Sequence, residues 1–230
     1  MALFSEFPRA SKATLPPSAL ASARGSGTRL RVLEVALHLF ATRGFAATSV
    51  RDLATALELQ PSALYAHFRS KEQILAELAR FGYEAHQEAI QSALLAAPAD
   101  PVERMRALVR AHSLVHSTYP HLAVVVNEEL AGLPDELAGP SLAIRHASSA
   151  LLVSIIEEGV AAGVFAPVHV EVTAAAIGAM GVRIPYWYRP GLQLEPTELA
   201  DVQAALALRM LGTSEATIQQ TAARHSKGHP

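Results

Sequence analysis

The stretch that decides the fold is VRDLATALELQPSALYAHF, residues 50–68. Its first half places apolar side chains at the i, i+3, i+4 and i+7 spacing of one helix face. These side chains are Val50, Leu53, Ala54 and Leu57. Thr48 or Ser49 can cap this helix, because either hydroxyl can accept a hydrogen bond from a backbone N–H of the first turn.

A second short helix follows after a tight turn. Gln60 can cap it, and Pro61 suits its first position, where the missing N–H of proline costs nothing. Leu64 and Phe68 form its apolar face. The opposite face carries Pro61, Ser62, Ala63, Tyr65, Ala66 and His67. Two short helices joined in this way are typical of a helix-turn-helix, whose second helix enters the major groove of DNA.

A third helix is predicted upstream of this pair. Leu33, Ala36, Leu37 and Phe40 form another four-point apolar stripe. Gly44 suits the left-handed backbone position that ends a helix. The three helices together can close one small core.

From Arg29 to Glu77 the sequence resembles the N-terminal domain of the TetR family of transcriptional repressors. The resemblance rests on three ordered segments, ALHLFATRGF at 36–45, TSVRDLA at 48–54 and LYAHFRSKE at 64–72. Several fixed spacings are more specific than a lone helix-turn-helix. The resemblance implies an all-α fold, with a three-helix DNA-binding domain followed by a helical ligand-binding and dimerisation domain.

Two positions depart from the family pattern. Glu58 stands in the turn where the family commonly has glycine, so either Glu58 adopts an unusual backbone angle or the turn differs. Ser62 stands where glycine is common, and its hydroxyl adds a group that can change which DNA sequence is read.

The resemblance also implies which residues contact DNA. Tyr65, His67 and Lys71 would hold phosphates, Thr48 would anchor the start of the second helix, and Arg51 is a further expected contact. The residues nearest the base edges would be Gln60, Pro61, Ser62 and Ala63.

Composition and charge agree with a regulator of this kind. The chain has 230 residues, half of them hydrophobic, and no cysteine, which excludes disulfides and thiol catalysis and fits a cytoplasmic protein. It lacks a secretory signal pattern and any run of about 18 uninterrupted apolar residues, so we expect no membrane span.

Charge is distributed unevenly along the chain. Residues 24–80 hold eight Lys or Arg against five Asp or Glu, whereas residues 81–230 hold nine Lys or Arg against fifteen Asp or Glu. The basic part coincides with the helix-turn-helix, as expected for a surface that approaches phosphates.

We divide the chain into a flexible N-terminal arm (1–23), a DNA-binding domain (24–72), a helical ligand-binding and dimerisation domain (73–212) and a frayed polar tail (213–230). After Ser70 helices are predicted to about residue 97 and at about 102–117, 120–131, 136–162, 169–188 and 196–211. The last two would pack against their symmetry mates in a homodimer.

One C-terminal segment stands out, GVRIPYWYRP at 181–190, which holds the only tryptophan. Arg183 and Trp187 are four residues apart and hence neighbours on one helix face, while Pro185 can kink the helix between them. A guanidinium beside an indole suits a nucleotide-bearing ligand, but it also suits a structural cation–π pair. The chemistry alone favours the structural pair.

The same segment is similar to the C-terminal domain of TetR-type regulators of fatty-acid, sterol and aromatic-acid catabolism. Further support comes from EEG at 157–159, GVF at 163–165 and LAD at 199–201. Several regulators of that subgroup sense acyl-CoA thioesters. The resemblance implies that Arg183 and Trp187, with Tyr186 between them, contact the ligand.

Other clusters are weaker. His112 and His116 lie one helical turn apart, with Glu128 and Glu129 downstream. A metal site needs a third ligand at a defined place, so we assign the two histidines to a pocket or surface and expect no metal and no cofactor. The sequence has no nucleophilic serine motif, no phosphate-binding glycine loop and no HExxH pattern, so we expect no enzyme.

The sequence therefore predicts a homodimeric repressor that binds a palindromic operator and is released by a small effector, with an acyl-CoA thioester as the leading candidate. Two alternatives stay open. One is a TetR-type repressor of efflux or stress genes that responds to a hydrophobic, drug-like effector. The other is a helical ligand-binding protein or enzyme that does not bind DNA.

Overall fold

The structure, a computed structural model, describes residues 13–17, 19, 27–189 and 194–226. The described residues form α-helices and one 3₁₀ turn (Leu130–Gly132), with no strand among them. The all-α prediction is confirmed. The helices are α1 (Gly27–Arg43), α2 (Val50–Leu57), α3 (Pro61–Tyr65), α4 (Lys71–Ala96), α5 (Pro101–Thr118), α6 (Pro120–Glu129), α7 (Asp135–Ala161), α8 (Val170–Val182), α9 (Ile184–Trp187), α10 (Pro196–Met210) and α11 (Glu215–Ser226).

Contacts within the chain define two compact units, which do not follow a single cut in the sequence. The first unit takes the described residues of Met1–Ala85, Tyr119–Arg145 and Pro185–Arg189. The second unit takes those of His86–Thr118, His146–Ile184 and Pro190–Pro230.

The core of the first unit joins the three predicted helices with the start of α4. Leu37, Leu53, Leu64 and Leu75, one from each of α1 to α4, have no exposed surface. Burying one such side chain stabilises the fold by about 1.5–3 kcal/mol relative to leaving it exposed. The predicted three-helix core is confirmed.

Ser49, not Thr48, caps α2. The Ser49 hydroxyl oxygen accepts from the backbone N–H of Asp52 at 3.2 Å, and the Asp52 carboxylate accepts from the backbone N–H of Ser49 at 2.7 Å. The Ser49 hydroxyl also donates to the Asp52 carboxylate, and this hydrogen bond, together with the one from the Ser49 N–H, lowers the pKa of Asp52 because both favour its charged form. Thr48 is buried, and its hydroxyl instead donates to the carbonyl oxygen of Gly44 at 2.8 Å.

The turn after α2 keeps a left-handed residue although it has no glycine there. Glu58 has φ 57° and ψ 37°, and it is the one non-glycine residue with positive φ in the described part of the chain. A side chain in this region costs about 1–2 kcal/mol. The sequence left two interpretations of glutamate at this position, an unusual backbone angle or a different turn. The first is correct.

Both ends of the chain differ from the prediction. In the predicted flexible arm, Ala13, Leu15 and Ala19 are buried in the core of the first unit. In the predicted frayed tail, α11 forms and its Ile218 is buried in the core of the second unit. A few apolar residues spaced through polar sequence give no periodic signal, so these contacts were missed. Residues 1–12, 18 and 20–23 of the predicted arm, together with residues 227–230, lie outside the described residues.

The single helix predicted over residues 169–188 is also corrected. Helix α8 ends at Val182, Arg183 forms its C-cap, and α9 begins at Ile184. Pro185 explains the break, because a proline has no N–H to continue the hydrogen-bond ladder. Arg183 and Trp187 therefore do not share one continuous helix.

In the second unit, α5 and α10 are joined by two ion pairs to the partly exposed Asp201 and by one buried hydrogen bond. The Arg106 side chain is almost fully buried and forms an ion pair with Asp201, which also pairs with Arg110. The Ser113 hydroxyl donates to Gln203 Oε1 at 3.1 Å. Because a buried charge left without its partner is costly, these pairs fix how the two helices pack.

One described helix, α7, is long and apolar enough to cross a membrane by length and composition alone. Its most apolar 18 residues have a mean hydropathy of 1.2, and 22% of that window is buried. A single helix of this kind is weak evidence for a membrane span, because core helices of proteins outside membranes can have the same length and composition.

Candidate nucleic-acid interface

The structure brings the predicted DNA-contacting residues together on the first unit, but with different exposure. Tyr65 is 52% exposed, whereas Pro61, His67 and Lys71 are half-buried and Thr48 is buried. The other predicted contacts are exposed, namely Arg51, Gln60, Ser62 and Ala63. Helix α3 thus presents small side chains and one phenol to solvent, a surface that suits the floor and walls of a DNA groove.

Three of the predicted phosphate and anchor residues line one open concavity of about 420 Å³. They are Thr48, Tyr65 and Lys71, and Ser49 and Arg69 lie in the same wall. Hydroxyl groups and cations arranged around a concave surface suit phosphate oxygens. The concavity does not include Arg51, His67 or the four predicted base-edge residues.

Lys71 has an internal role that the sequence did not reveal. Its Nζ donates to the carbonyl oxygens of Phe45 at 2.9 Å and Thr48 at 3.1 Å, and it lies 4.3 Å from the centre of the Phe45 ring. Lys71 therefore fastens the loop between α1 and α2. An ammonium has three N–H donors, so one remains for a phosphate.

Arg29 braces the far end of the helix-turn-helix. Its guanidinium pairs with Glu77, donates to the carbonyl oxygen of His67 at 2.8 Å, and lies 4.1 Å from the centre of the Phe68 ring. Arg29 thus holds the residues after α3 against α1 and α4. Its partners lie 38 and 48 residues away in sequence, so no local spacing could identify them.

The C-terminal end of α6 binds both the loop between α1 and α2 and the short helix α9. Glu129 Oε1 accepts from the backbone N–H of Phe45 at 3.1 Å. Its neighbour Glu128 accepts from the Tyr186 hydroxyl at 2.6 Å. These carboxylates, considered from the sequence as metal ligands, are thus engaged in hydrogen bonds of the first unit.

The predicted ligand residues lie around the break between α8 and α9. Arg183 is exposed at the C-cap of α8, and Tyr186 and Trp187 are half-buried on α9. The Trp187 ring meets the Tyr188 ring edge-on, with 6.2 Å between ring centres. Because the helix is interrupted, the four-residue spacing no longer argues that Arg183 and Trp187 share a face.

Helices α8 and α10 leave apolar side chains exposed. Val172 on α8 is 65% exposed, and Val202 and Leu206 on α10 are 45% and 43% exposed. Alanines at positions 175 and 179 are exposed on the Val172 face of α8, at helical spacing. We call this set, Val172, Ala175, Ala179, Val202 and Leu206, the apolar seam.

Comparison with known proteins agrees with the helical architecture. Residues 32–78 match the family described as bacterial regulatory proteins, tetR family, and residues 98–211 match the tetracyclin repressor-like C-terminal domain. The HTH-type transcriptional repressor KstR2 of Mycolicibacterium smegmatis is 30% identical over 187 residues, which cover 78% of this chain and 88% of the relative. The chain belongs to the TetR family. The family consists of helix-turn-helix transcriptional regulators, as the sequence predicts.

Solved structures of TetR-family proteins have the same fold. PfmR of Thermus thermophilus is 35% identical with a TM-score of 0.70, covering 79% of this chain and 98% of PfmR. AibR, solved in complex with isovaleryl coenzyme A and operator DNA, is 26% identical with a TM-score of 0.69, covering 77% of this chain and 96% of AibR.

Proposed function

We propose that this TetR-family chain is a homodimeric repressor that binds a palindromic operator and is released by an acyl-CoA thioester. The observation that carries the proposal is the similarity to AibR, a protein solved with both isovaleryl coenzyme A and operator DNA. A repressor that binds its operator would act in the cytoplasm.

The DNA contacts are proposed for the residues that the family pattern indicates. Tyr65 and the remaining N–H of Lys71 would bind phosphates at the concavity, with Arg51 and His67 as further contacts and Thr48 as the anchor beneath them. Gln60, Pro61, Ser62 and Ala63 would meet the base edges. Phosphate contacts add affinity for every sequence, whereas base contacts discriminate between sequences.

This division of roles predicts different effects for two small substitutions. Tyr65→Phe removes only a hydroxyl, so we expect affinity to fall several-fold, about 1 kcal/mol, for operator and unrelated DNA alike. Ser62→Ala should instead change the ratio between operator and single-base variants, with little effect on unrelated DNA. Mobility-shift titrations measure both. A Tyr65→Phe protein with unchanged affinity for every fragment would refute the phosphate contact.

The proposed dimer forms through α8 and α10, whose apolar seam would be covered by the same surface of a second copy. Contacts of this kind are isologous, so the two helix-turn-helix heads are related by a two-fold axis. A two-fold protein predicts a two-fold operator with half-sites one helical turn or a multiple of it apart.

The proposed effector contacts are Arg183, Tyr186 and Trp187. The Arg183 guanidinium is exposed and suits a coenzyme A phosphate, because its planar fork binds phosphate oxygens in pairs. The half-buried Trp187 ring offers a face for a planar group.

We propose that Tyr186 also couples the effector to DNA. The Tyr186 hydroxyl donates to the Glu128 carboxylate. The next residue, Glu129, accepts from the backbone N–H of Phe45, at the start of the loop that leads into α2. An effector that draws Tyr186 away would disturb the end of α6, and with it the hydrogen bond to Phe45. DNA is released to the extent that the effector binds this altered state more tightly than the DNA-binding one.

The test separates binding from release. Isovaleryl-CoA and longer acyl-CoAs should raise the thermal midpoint of the wild-type protein and lower its operator affinity, and Arg183→Ala should lose both effects. Tyr186→Phe should keep the thermal shift but release DNA several-fold less. If no acyl-CoA shifts the midpoint while a hydrophobic, drug-like compound does, the drug-responsive alternative replaces this effector. Absence of salt-dependent binding to any promoter fragment would favour a protein without DNA binding.

A further inference from the structure

Three histidines meet inside the second unit, and none of them is among the residues proposed to contact DNA or effector. His86 lies on α4, and His112 and His116 lie one turn apart on α5. One ring nitrogen of each lies within 4.8 Å of one from each of the others. No local spacing connects His86 with the other two histidines, because it precedes His112 by 26 residues.

Hydrogen bonds to backbone carbonyls define where two of the rings carry their protons. His112 Nε2 lies 2.9 Å from the carbonyl oxygen of Gly178, and His116 Nδ1 lies 2.8 Å from the carbonyl oxygen of His112. A carbonyl only accepts, so both nitrogens are N–H donors and His112 Nδ1 and His116 Nε2 hold lone pairs. Histidines that bind metals commonly donate their other N–H to a carbonyl in this way.

The third ring faces the first lone pair. His86 Nε2 is 2.7 Å from His112 Nδ1, so in the metal-free protein His86 donates its proton to that lone pair. The rings lie close together, with the centres of His112 and His116 4.5 Å apart and those of His86 and His116 5.7 Å apart.

Burial disfavours the charged form of the three imidazoles. It lowers the pKa of His86 to about 3, and it lowers the pKa values of His112 and His116 below the ordinary value. A neutral imidazole is the form that binds a metal.

Because Gly181 on α8 has no side chain, the His112 ring can occupy the space beside it. A Cβ atom at Gly181 would lie 2.1 Å from His112 Cδ2, closer than any real contact. Gly178, one turn earlier, supplies the carbonyl that orients the same ring. The helix opposite the cluster thus both admits the ring and fixes its orientation.

We propose that His86, His112 and His116 form a binding site for a divalent transition-metal ion of the Zn²⁺ class. Three imidazoles that bind one Zn²⁺ at Zn–N distances of about 2.0–2.1 Å place their nitrogens about 3.3 Å apart. The three ring nitrogens lie within 4.8 Å of one another, so small side-chain rotations bring them to this distance. Binding through Nε2 needs the other tautomer of His86, in which Nε2 gives its proton to solvent while Nδ1 takes one up, so the ring stays neutral and no net proton is released; alternatively the ring turns and binds through Nδ1, which already holds a lone pair. The fourth position stays open for water or for an oxygen of a small ligand.

The test uses untagged, full-length protein stripped with a chelator and titrated with Zn²⁺ against a chromogenic competitor. We expect one ion per chain, and a visible absorption band from four-coordinate ions when Co²⁺ replaces Zn²⁺. His116→Gln and, separately, His86→Gln should lower Zn²⁺ affinity at least about 100-fold, since loss of a ligand exceeds loss of an outer contact. The matched control is His146→Gln, an exposed histidine of the same unit, which should bind as the wild type does.

Two results would overturn the site. One is wild-type protein that binds no Zn²⁺ tighter than about 100 µM, which would make the cluster a hydrogen-bonded part of the core. The other is binding that persists in both His86→Gln and His116→Gln. Circular dichroism of each variant shows that it is folded, and if His116→Gln is not, the less buried His86→Gln decides.

Discussion

Replacing Leu206 with glutamate should convert the proposed dimer into monomers and reduce operator affinity at least about 100-fold. Leu206 is 43% exposed in the single chain and belongs to the apolar seam with Val202 and Val172. If a second copy covers the seam, each dimer would bury two new carboxylates without partners, and an unpaired buried charge costs several kcal/mol. Residues 24–80, which hold the helix-turn-helix, have a basic excess of only three charges, so we expect one head alone to bind DNA weakly.

Leu95→Glu is the matched control for this prediction. Leu95 is 88% exposed near the end of α4 and lies outside the seam, so the same substitution adds the same charge without crossing the proposed interface. Light scattering after size exclusion gives the mass, and a mobility shift gives operator affinity. A Leu206→Glu protein that remains dimeric would place the interface on another surface, whatever happens to DNA binding.

Most of the fold follows from local sequence. The apolar stripe from Val50 to Leu57 and the proline at position 61 predicted α2 and α3, because helix faces repeat with a fixed period and proline suits a first turn. The break at Arg183 was predicted only as a kink. Whether a proline bends or ends a helix depends on the packing around it, which the sequence does not display.

The contacts that hold the candidate interface and the histidine cluster together were harder to predict from the sequence than the helices. Lys71 binds a loop 23–26 residues earlier, and Glu129 binds the N–H of Phe45 across 84 residues. His86 joins His112 across 26 residues on another helix. Such pairings follow from how helices pack in three dimensions, and a single sequence carries no period that reports them. The exposed residues of α3 were predictable because they lie on one short helix.

The second large effect concerns the end of α7, where we expect Gly159→Ala to destabilise the fold by about 3 kcal/mol. Gly163, with φ 70°, ends the helix and turns the chain back, and the N–H of Phe165 bonds to the carbonyl of Gly159 at 3.1 Å. The Phe165 ring then lies against the glycine, so a Cβ there would be 1.9 Å from Cδ2 and 2.6 Å from Cγ. Phe165 is only 4% exposed, and moving it would open the core of the second unit.

Gly178→Ala is the control, because the substitution is the same but the surroundings differ. No atom lies within 4 Å of a Cβ at Gly178, which is a helical position of the same unit. Alanine there should stabilise the protein by about 0.5–1 kcal/mol, since glycine loses more backbone freedom on folding. Urea unfolding at one protein concentration measures both changes, because the stability of a dimer depends on concentration. Equal effects of the two substitutions would mean that helix propensity, and not the Phe165 ring, explains glycine at position 159.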